Sequence, residues 1–163
     1  MISGLRHHLS LPGARFRDAR RGDGEKPDNG CEEQLKALEI GVVGGFARGC
    51  HAGGIAQFAL LSAVGSTAKS RIRYVRVMGL KEQTVQGVGF KSLAVFRPGI
   101  IAGNAHTPSY VAWLGRLIPG GFGTIEQDDI ARAFVAEFIS SSAPNGVVCL
   151  ENGAMRQRSR ASA

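Results

Sequence analysis

Residues 57–99 read QFALLSAVGSTAKSRIRYVRVMGLKEQTVQGVGFKSLAVFRPG, and this stretch decides the fold. It holds two short apolar runs, Gln57–Ser62 and Ser92–Phe96, with no polar alternation. Runs of that length predict strands buried on both faces, as in a parallel sheet. Between them, Arg71 to Gln86 sets Ile72, Val75, Met78 and Val85 along one side of a helix that Gly87 and Gly89 end. Arg97-Pro98-Gly99 closes the second strand.

The same alternation extends both ways. Upstream, Leu35, Leu38, Val42 and Phe46 predict the apolar face of a helix that stops at Gly53-Gly54. Gly41, Gly44, Gly45 and Gly49 weaken that helix by about 1 kcal/mol each relative to alanine. Downstream, Val111, Leu114 and Leu117 predict a helix over 108–118, and Ile130, Phe134 and Phe138 another over 128–140. Asn145-Gly146 turns the chain into a last strand, Val147–Leu150. Helices alternating with short apolar strands predict an α/β fold: a Rossmann-like parallel sheet flanked by helices.

The chain has 163 residues, enough for one domain, and 44% of them are hydrophobic, enough for a core. No apolar run approaches the roughly 18 residues of a membrane span. Cys31, Cys50 and Cys149 are odd in number and widely spaced, which fits neither a disulfide framework nor a metal site. Residues 1–31 read as a disordered or aberrant leader, 32–156 as the domain, and 157–163 as a basic flexible tail. Reduced thiols point to the cytoplasm. The first 17 residues carry Arg6, Arg15 and Arg17 and no acid, which makes a mitochondrial location the alternative. The formal net charge is +7. Most of it lies in residues 64–97, where Lys69, Arg71, Arg73, Arg76, Lys81, Lys91 and Arg97 face a single acid, Glu82. With no nucleic-acid motif and no aromatic stacking run, that block predicts no DNA or RNA partner.

Two residues carry candidate chemistry. Ser62 closes the first strand, and strand carboxyl ends in a parallel sheet face the ligand crevice. Tyr74 begins the next helix and is able to reach the same crevice. A serine hydroxyl and a phenol can share one carbonyl oxygen, and the phenol can give it a proton if a nearby cation lowers its pKa. That cation belongs four residues later, one helical turn on, where this chain has Met78. Both residues are also open to purely structural roles. The glycines of Gly41-Val42-Val43-Gly44-Gly45 lack the G-x-G-x-x-G spacing and the preceding strand of a dinucleotide loop.

Residues 58–103 resemble the central part of an atypical short-chain dehydrogenase/reductase, most of all the Tat-interacting-protein-like oxidoreductases and their fungal mitochondrial relatives. The matching elements are Leu60-Leu61-Ser62-Ala63, Tyr74-Val75-Arg76-Val77-Met78 and Phe96-Arg97-Pro98-Gly99. The likeness extends over about residues 32–156. It implies an oxidoreductase using NADP or NAD on a small carbonyl or alcohol, with Ser62 and Tyr74 catalytic. Arg97, Pro98, Gly99 and Ile100 would border the nicotinamide. It also implies two losses: the lysine that Met78 replaces, and the N-terminal βαβ unit with its glycine loop. The expectation is therefore a partial Rossmann-like domain, impaired or truncated, with tight cofactor binding in doubt. A catalytically silent relative that binds a protein partner is the alternative.

Overall fold

The computed structural model describes residues 29–102, 118, 120–139 and 145–161. Residues 1–28 of the 1–31 leader and residues 108–117 of the 108–118 helix expectation lie outside that set; residues 29–31 of the expected leader begin the first helix.

In chain order the elements are α1 (Asn29–Lys36), a π-helical stretch (Ala37–Val42), α2 (Val43–Ala52), β1 (Gln57–Leu61), α3 (Arg73–Gln86), β2 (Ser92–Arg97), β3 (Ile100–Ala102), a 3-10 turn (Gly120–Phe122), β4 (Thr124–Glu126), α4 (Gln127–Ile139), β5 (Gly146–Glu151) and α5 (Asn152–Ala161). Strands β1, β2 and β5 form one parallel sheet in the order β1-β2-β5, and β3 pairs with β4 in a second, two-stranded one. The α/β parallel-sheet expectation is met.

The central strand β2 shows why its run has no polar alternation. Leu93 and Val95 point into a core shared with Leu60, Val85, Phe90 and Ala47, under α2 and α3. Ala94 and Phe96 point the other way, into a core with Ile130, Ala133, Leu150 and Met155, under α4 and α5. A strand with a helical layer on each face has no wet side, so Leu93 to Phe96 are all apolar. The rings of Phe96 and Phe134 stack at 3.8 Å, tying α4 to the sheet.

Three sequence expectations shift. The first helix does not bury Leu38, Val42 and Phe46, which are exposed; it buries Gly44 and Ala47 with Val43 and Cys50 alongside. Close approach to α3 selects small residues: a methyl on Gly44 would lie 2.8 Å from Thr84 Cγ2. The large apolar side chains are left on the opposite side of the helix. Short β3 and β4 were not foreseen, since three residues give no period to read. Finally, residues 157–161, expected as flexible tail, continue α5. Arg158 Nε meets Glu137 at 2.6 Å and the buried Ser159 hydroxyl donates to Asp129 at 2.8 Å, and both anchors are on α4.

Candidate functional site

Ser62 sits one residue past β1, at the carboxyl end of the sheet. Its N–H donates to Phe96 O at 2.7 Å, which carries the β1–β2 ladder one step further. Its side chain is buried, and its hydroxyl donates to Ser66 Oγ at 3.2 Å while Ser66 Oγ donates to Ala63 O at 2.6 Å. Ser66 is a polar neighbour that the sequence did not single out. Its only signal was a position four residues after Ser62 in a glycine-containing loop.

The segment Arg97-Pro98-Gly99-Ile100 lies at the end of β2, beside that loop: Val64 N–H donates to Pro98 O at 2.9 Å. Ser62 and this segment are therefore brought together at the carboxyl ends of adjacent parallel strands. The polar groups of the segment are largely spent within the protein. Arg97 grips Glu82 through two hydrogen bonds, Nε to Oε1 at 2.9 Å and Nη2 to Oε2 at 2.5 Å. That hydrogen bonding holds the guanidinium further in its charged form. Gly99 N–H donates to Asn152 Oδ1 at 3.0 Å and Ile100 N–H to Gly123 O at 3.1 Å. Asn152 Nδ2 donates to Gly123 O at 2.7 Å. Asn152, the first residue of α5 and fully buried, thus staples the Pro98-Gly99 turn to the turn before β4. A side chain at Gly99 would meet Gly121 O at 2.5 Å and Gly123 O closer still, so only glycine fits there.

Replacing Asn152 with alanine strands the part-buried Gly99 N–H and takes one of its two hydrogen bonds from the Gly123 carbonyl, which keeps Ile100 N–H. The expected loss is about 2 kcal/mol. Urea unfolding measures it as a lower midpoint at unchanged slope.

Tyr74 occupies the first turn of α3 and is 51% exposed. Partial burial, helped by the Glu39 carboxylate, holds its phenol above the ordinary tyrosine value. Nothing depresses it toward neutrality. The position four residues on confirms the difficulty: Met78 is 1% exposed, packed inside α3's buried face. Lys81 does not substitute, since it is buried against Glu39 at 2.7 Å. In a Tyr110→Phe background, ultraviolet titration is expected to show Tyr74 ionising only above its ordinary pKa of 10.0. A phenolate signal near neutral pH contradicts this. The raised pKa also fixes a sign. Its contribution to stability is complete below the unfolded value and is lost as pH rises through the folded one, so this residue weakens the fold only on the alkaline side.

Four of the seven cations of the basic block are held in ion pairs among the described residues. Arg73 and Arg76 reach Glu32 at 3.7 and 3.0 Å, Lys81 pairs with Glu39, and Arg97 with Glu82. Glu32 is held below the usual carboxylate range by hydrogen bonds from Arg76 and then Lys36. The cavity beside Arg97, lined by Ser66, Thr67, Gly79 and Glu82, measures about 220 Å³. That is below the roughly 300–1,000 Å³ of a small-molecule pocket. A larger one, about 560 Å³, lies at the amino ends of β1 and β2, lined by Gln57, Ser92, Lys91 and Phe138, away from Ser62. No cluster of three metal-ligating side chains occurs among the described residues, and none of their helices is long and apolar enough to cross a membrane.

No protein-family model matches the chain. It is similar to a series of fungal proteins. One from Aspergillus niger, named "Protein fmp52, mitochondrial", is 30% identical over 127 residues, 76% of this chain and 53% of that protein. "Protein FMP52-1, mitochondrial" of Scheffersomyces stipitis is 30% identical over 78 residues, 48% of this chain and 34% of the relative. "Protein fmp52, mitochondrial" of Emericella nidulans is 29% identical over 80 residues, 49% and 34%. The chain thus spans a third to a half of the length of the curated relatives it matches. Their name corrects the family expectation: they are Fmp52 proteins, not Tat-interacting-protein-like oxidoreductases. The fungal mitochondrial side of the likeness is the side that the matches bear on.

Proposed function

We propose that this chain is an NAD(P)-dependent oxidoreductase-like protein with an impaired catalytic step, acting on a small carbonyl or alcohol in mitochondria. The observation that carries the reading is the meeting of Ser62 with the Pro98-Gly99 turn at the carboxyl ends of β1 and β2. Ligands of open parallel sheets bind at that end. The mitochondrial location rests on the names of the relatives.

The residues present fit the flank of a nicotinamide ring but not a phosphate. Gly99 N–H, Ile100 N–H and the Arg97 guanidinium are already taken by Asn152, Gly123 and Glu82. A bound NAD(P)H would supply hydride to the carbonyl carbon. Ser62 would turn its hydroxyl from Ser66 to the carbonyl oxygen and orient it. Tyr74 would donate the proton that oxygen needs. With its pKa raised, Tyr74 would donate sluggishly and recover its proton from water.

The test is calorimetry and a carbonyl-panel assay with NADPH. Binding weaker than about millimolar by the chain alone, and a slow turnover at high NADPH that Tyr74→Phe abolishes, are expected; no turnover of any carbonyl counts against the redox reading. Micromolar binding overturns the claim that these residues hold no phosphate. Robust turnover that survives Tyr74→Phe removes Tyr74 from the mechanism.

A further inference from the structure

The cavity of about 560 Å³ at the amino ends of β1 and β2 lies at the opposite end of the sheet from Ser62. Its floor is the first row of those strands, Gln57 and Ser92, which stand in register. Side chains alternate along a strand, so these two face the same side as Ala59 and Ala94, toward α4. Beside Ser92 in that row β5 supplies Gly146, and a methyl built there would meet nothing within 4 Å. The first row therefore fills little of the space beneath α4. Phe138 walls the cavity from that helix, one turn beyond the Phe134 ring that stacks on Phe96.

The polar groups around it are unspent. Ser92 is 7% exposed, at the start of a strand that is apolar from Leu93 to Phe96. Its N–H donates to Ala56 O at 3.1 Å, but its hydroxyl makes no hydrogen bond among the described residues. Buried hydroxyls normally have a partner. Lys91, the residue before it, is exposed and forms no ion pair among the described residues, whereas Arg73, Arg76, Lys81 and Arg97 all do. The Gln57 and Asn145 carboxamides are likewise without hydrogen bonds among the described residues. Ammonium, hydroxyl and carboxamide can all donate, and no acid is among the described residues that line the cavity.

We propose that this cavity is a ligand site for an aromatic monocarboxylate. The carboxylate accepts hydrogen bonds from the Lys91 ammonium and the Ser92 hydroxyl, with the Gln57 and Asn145 carboxamides beside them. The ring of the ligand lies against Phe138, which is half-exposed. Charge sets the ligand class. One lysine and no acid match a single negative charge, a phosphate dianion would keep a charge unmatched, and a metal cation would find no carboxylate. Size agrees, since the cavity falls within the roughly 300–1,000 Å³ of small-molecule sites. The site shares no residue with Ser62, Tyr74 or the Pro98-Gly99 turn, so it stands apart from the redox reading.

The experiment titrates phenylacetate into the isotope-labelled chain and follows its amide NMR signals, with phenylacetamide as the uncharged isostere. The expected result is a Kd of about 1 mM or tighter, with shifts at Lys91, Ser92, Asn145 and Gly146 and none at Ser62 or Gly99. Phenylacetamide should bind about fivefold more weakly, the scale of one exposed ion pair. Lys91→Gln should weaken phenylacetate about fivefold and leave phenylacetamide unchanged, so that the two ligands become equal. Lys69→Gln removes the same charge from another exposed lysine, in the loop before α3, and should change neither. Ser92→Ala should weaken both ligands about threefold without lowering the urea midpoint, because its hydroxyl has no partner in the protein to lose. Circular dichroism checks that every variant folds; both lysines are exposed, so they should. Each of the following overturns the proposal: no saturable binding by the folded chain, shifts centred on Ser62 and Gly99, phenylacetamide binding as tightly as phenylacetate, Lys69→Gln weakening binding as much as Lys91→Gln, or a Ser92→Ala variant that loses stability but keeps its affinity.

Discussion

Gly79→Ala should cost about 3 kcal/mol, although it is a glycine-to-alanine change in the middle of a helix. Such a change normally stabilises a helix by about 1 kcal/mol. Here the intrinsic gain is overwhelmed by contact. A methyl on Gly79 would lie 2.6 Å from Thr67 Cα, and closer to the Thr67 carbonyl carbon and Ala68 nitrogen. All three are backbone atoms, so no rotamer relieves the overlap and either α3 or the loop must move. The loop is the one that carries Ser62's neighbour Ser66 and hydrogen-bonds to Val75 and Pro98 through Thr67 N–H and Val64 N–H. Movement would therefore reach the candidate site as well as the core. Gly49→Ala is the control. It also lies inside a helix, but nothing stands within 4 Å of its added methyl, so it should stabilise the fold by about 1 kcal/mol. Urea midpoints of opposite sign for the two variants are the expected outcome. Two shifts of the same sign would mean that α3 does not touch the loop as described.

That contrast also shows what the sequence could and could not reveal. Strand β2 was legible because both of its faces are covered, which leaves an apolar run that no exposed strand has. Helix α3 was legible from Val75, Met78 and Val85 and from its terminal glycines, whereas Ile72 caps the helix and stands exposed. The facing of α2 was not. The apolar period that leads into it is carried by Leu38 and Val42 of the π-helical stretch and by Phe46, yet the face against α3 is chosen by how close two backbones can come, and that favours Gly44 and Ala47. Hydrophobic periodicity cannot report a contact made by glycine. The large residues it does report lie on the side where the sheet ends, which is why they read as core and stand exposed.

The candidate site divides in the same way. Ser62 was found because a strand end is marked in sequence by where the apolar run stops. Pro98 and Gly99 were legible only as the dipeptide that closes β2; their place beside a nicotinamide came from the resemblance. Asn152 was invisible: an asparagine 53 positions from Gly99 gives no local signal, and only the fold brings its side-chain amide between two turns. The positive block hides its partners for a related reason. Glu32 and Glu39 lie more than 40 residues away in sequence, so a charge count over residues 64–97 leaves out two of the carboxylates that pair with it. Arg73, Arg76 and Lys81 meet them along the seam between α1, the π-helical stretch and α3.

The Glu82–Arg97 pair should prove the most strongly coupled of these. Glu82 is buried on α3 and accepts both Arg97 hydrogen bonds, from a strand whose next residues form the Pro98-Gly99 turn. Replacing Glu82 with leucine leaves a guanidinium largely withdrawn from water and without its carboxylate. Breaking a fully buried pair this way costs about 3–5 kcal/mol. The Arg97 side chain is 24% exposed, so partial hydration brings the expected loss to about 3 kcal/mol. Arg97→Met alone should cost a similar amount, by stranding a carboxylate that is buried almost completely. The double variant Glu82→Leu/Arg97→Met strands neither charge and replaces both groups with apolar volume. It should recover at least about 2 kcal/mol relative to the sum of the singles, within the range of coupling for residues in direct contact. Equilibrium unfolding of all four proteins in low and in high salt checks this, and burial predicts that the coupling changes little with salt. Additive losses would mean that the two side chains do not depend on one another. The pair would then be an ornament of the α3–β2 contact, and the Arg97 guanidinium would be free to serve a ligand at the carboxyl end of the sheet.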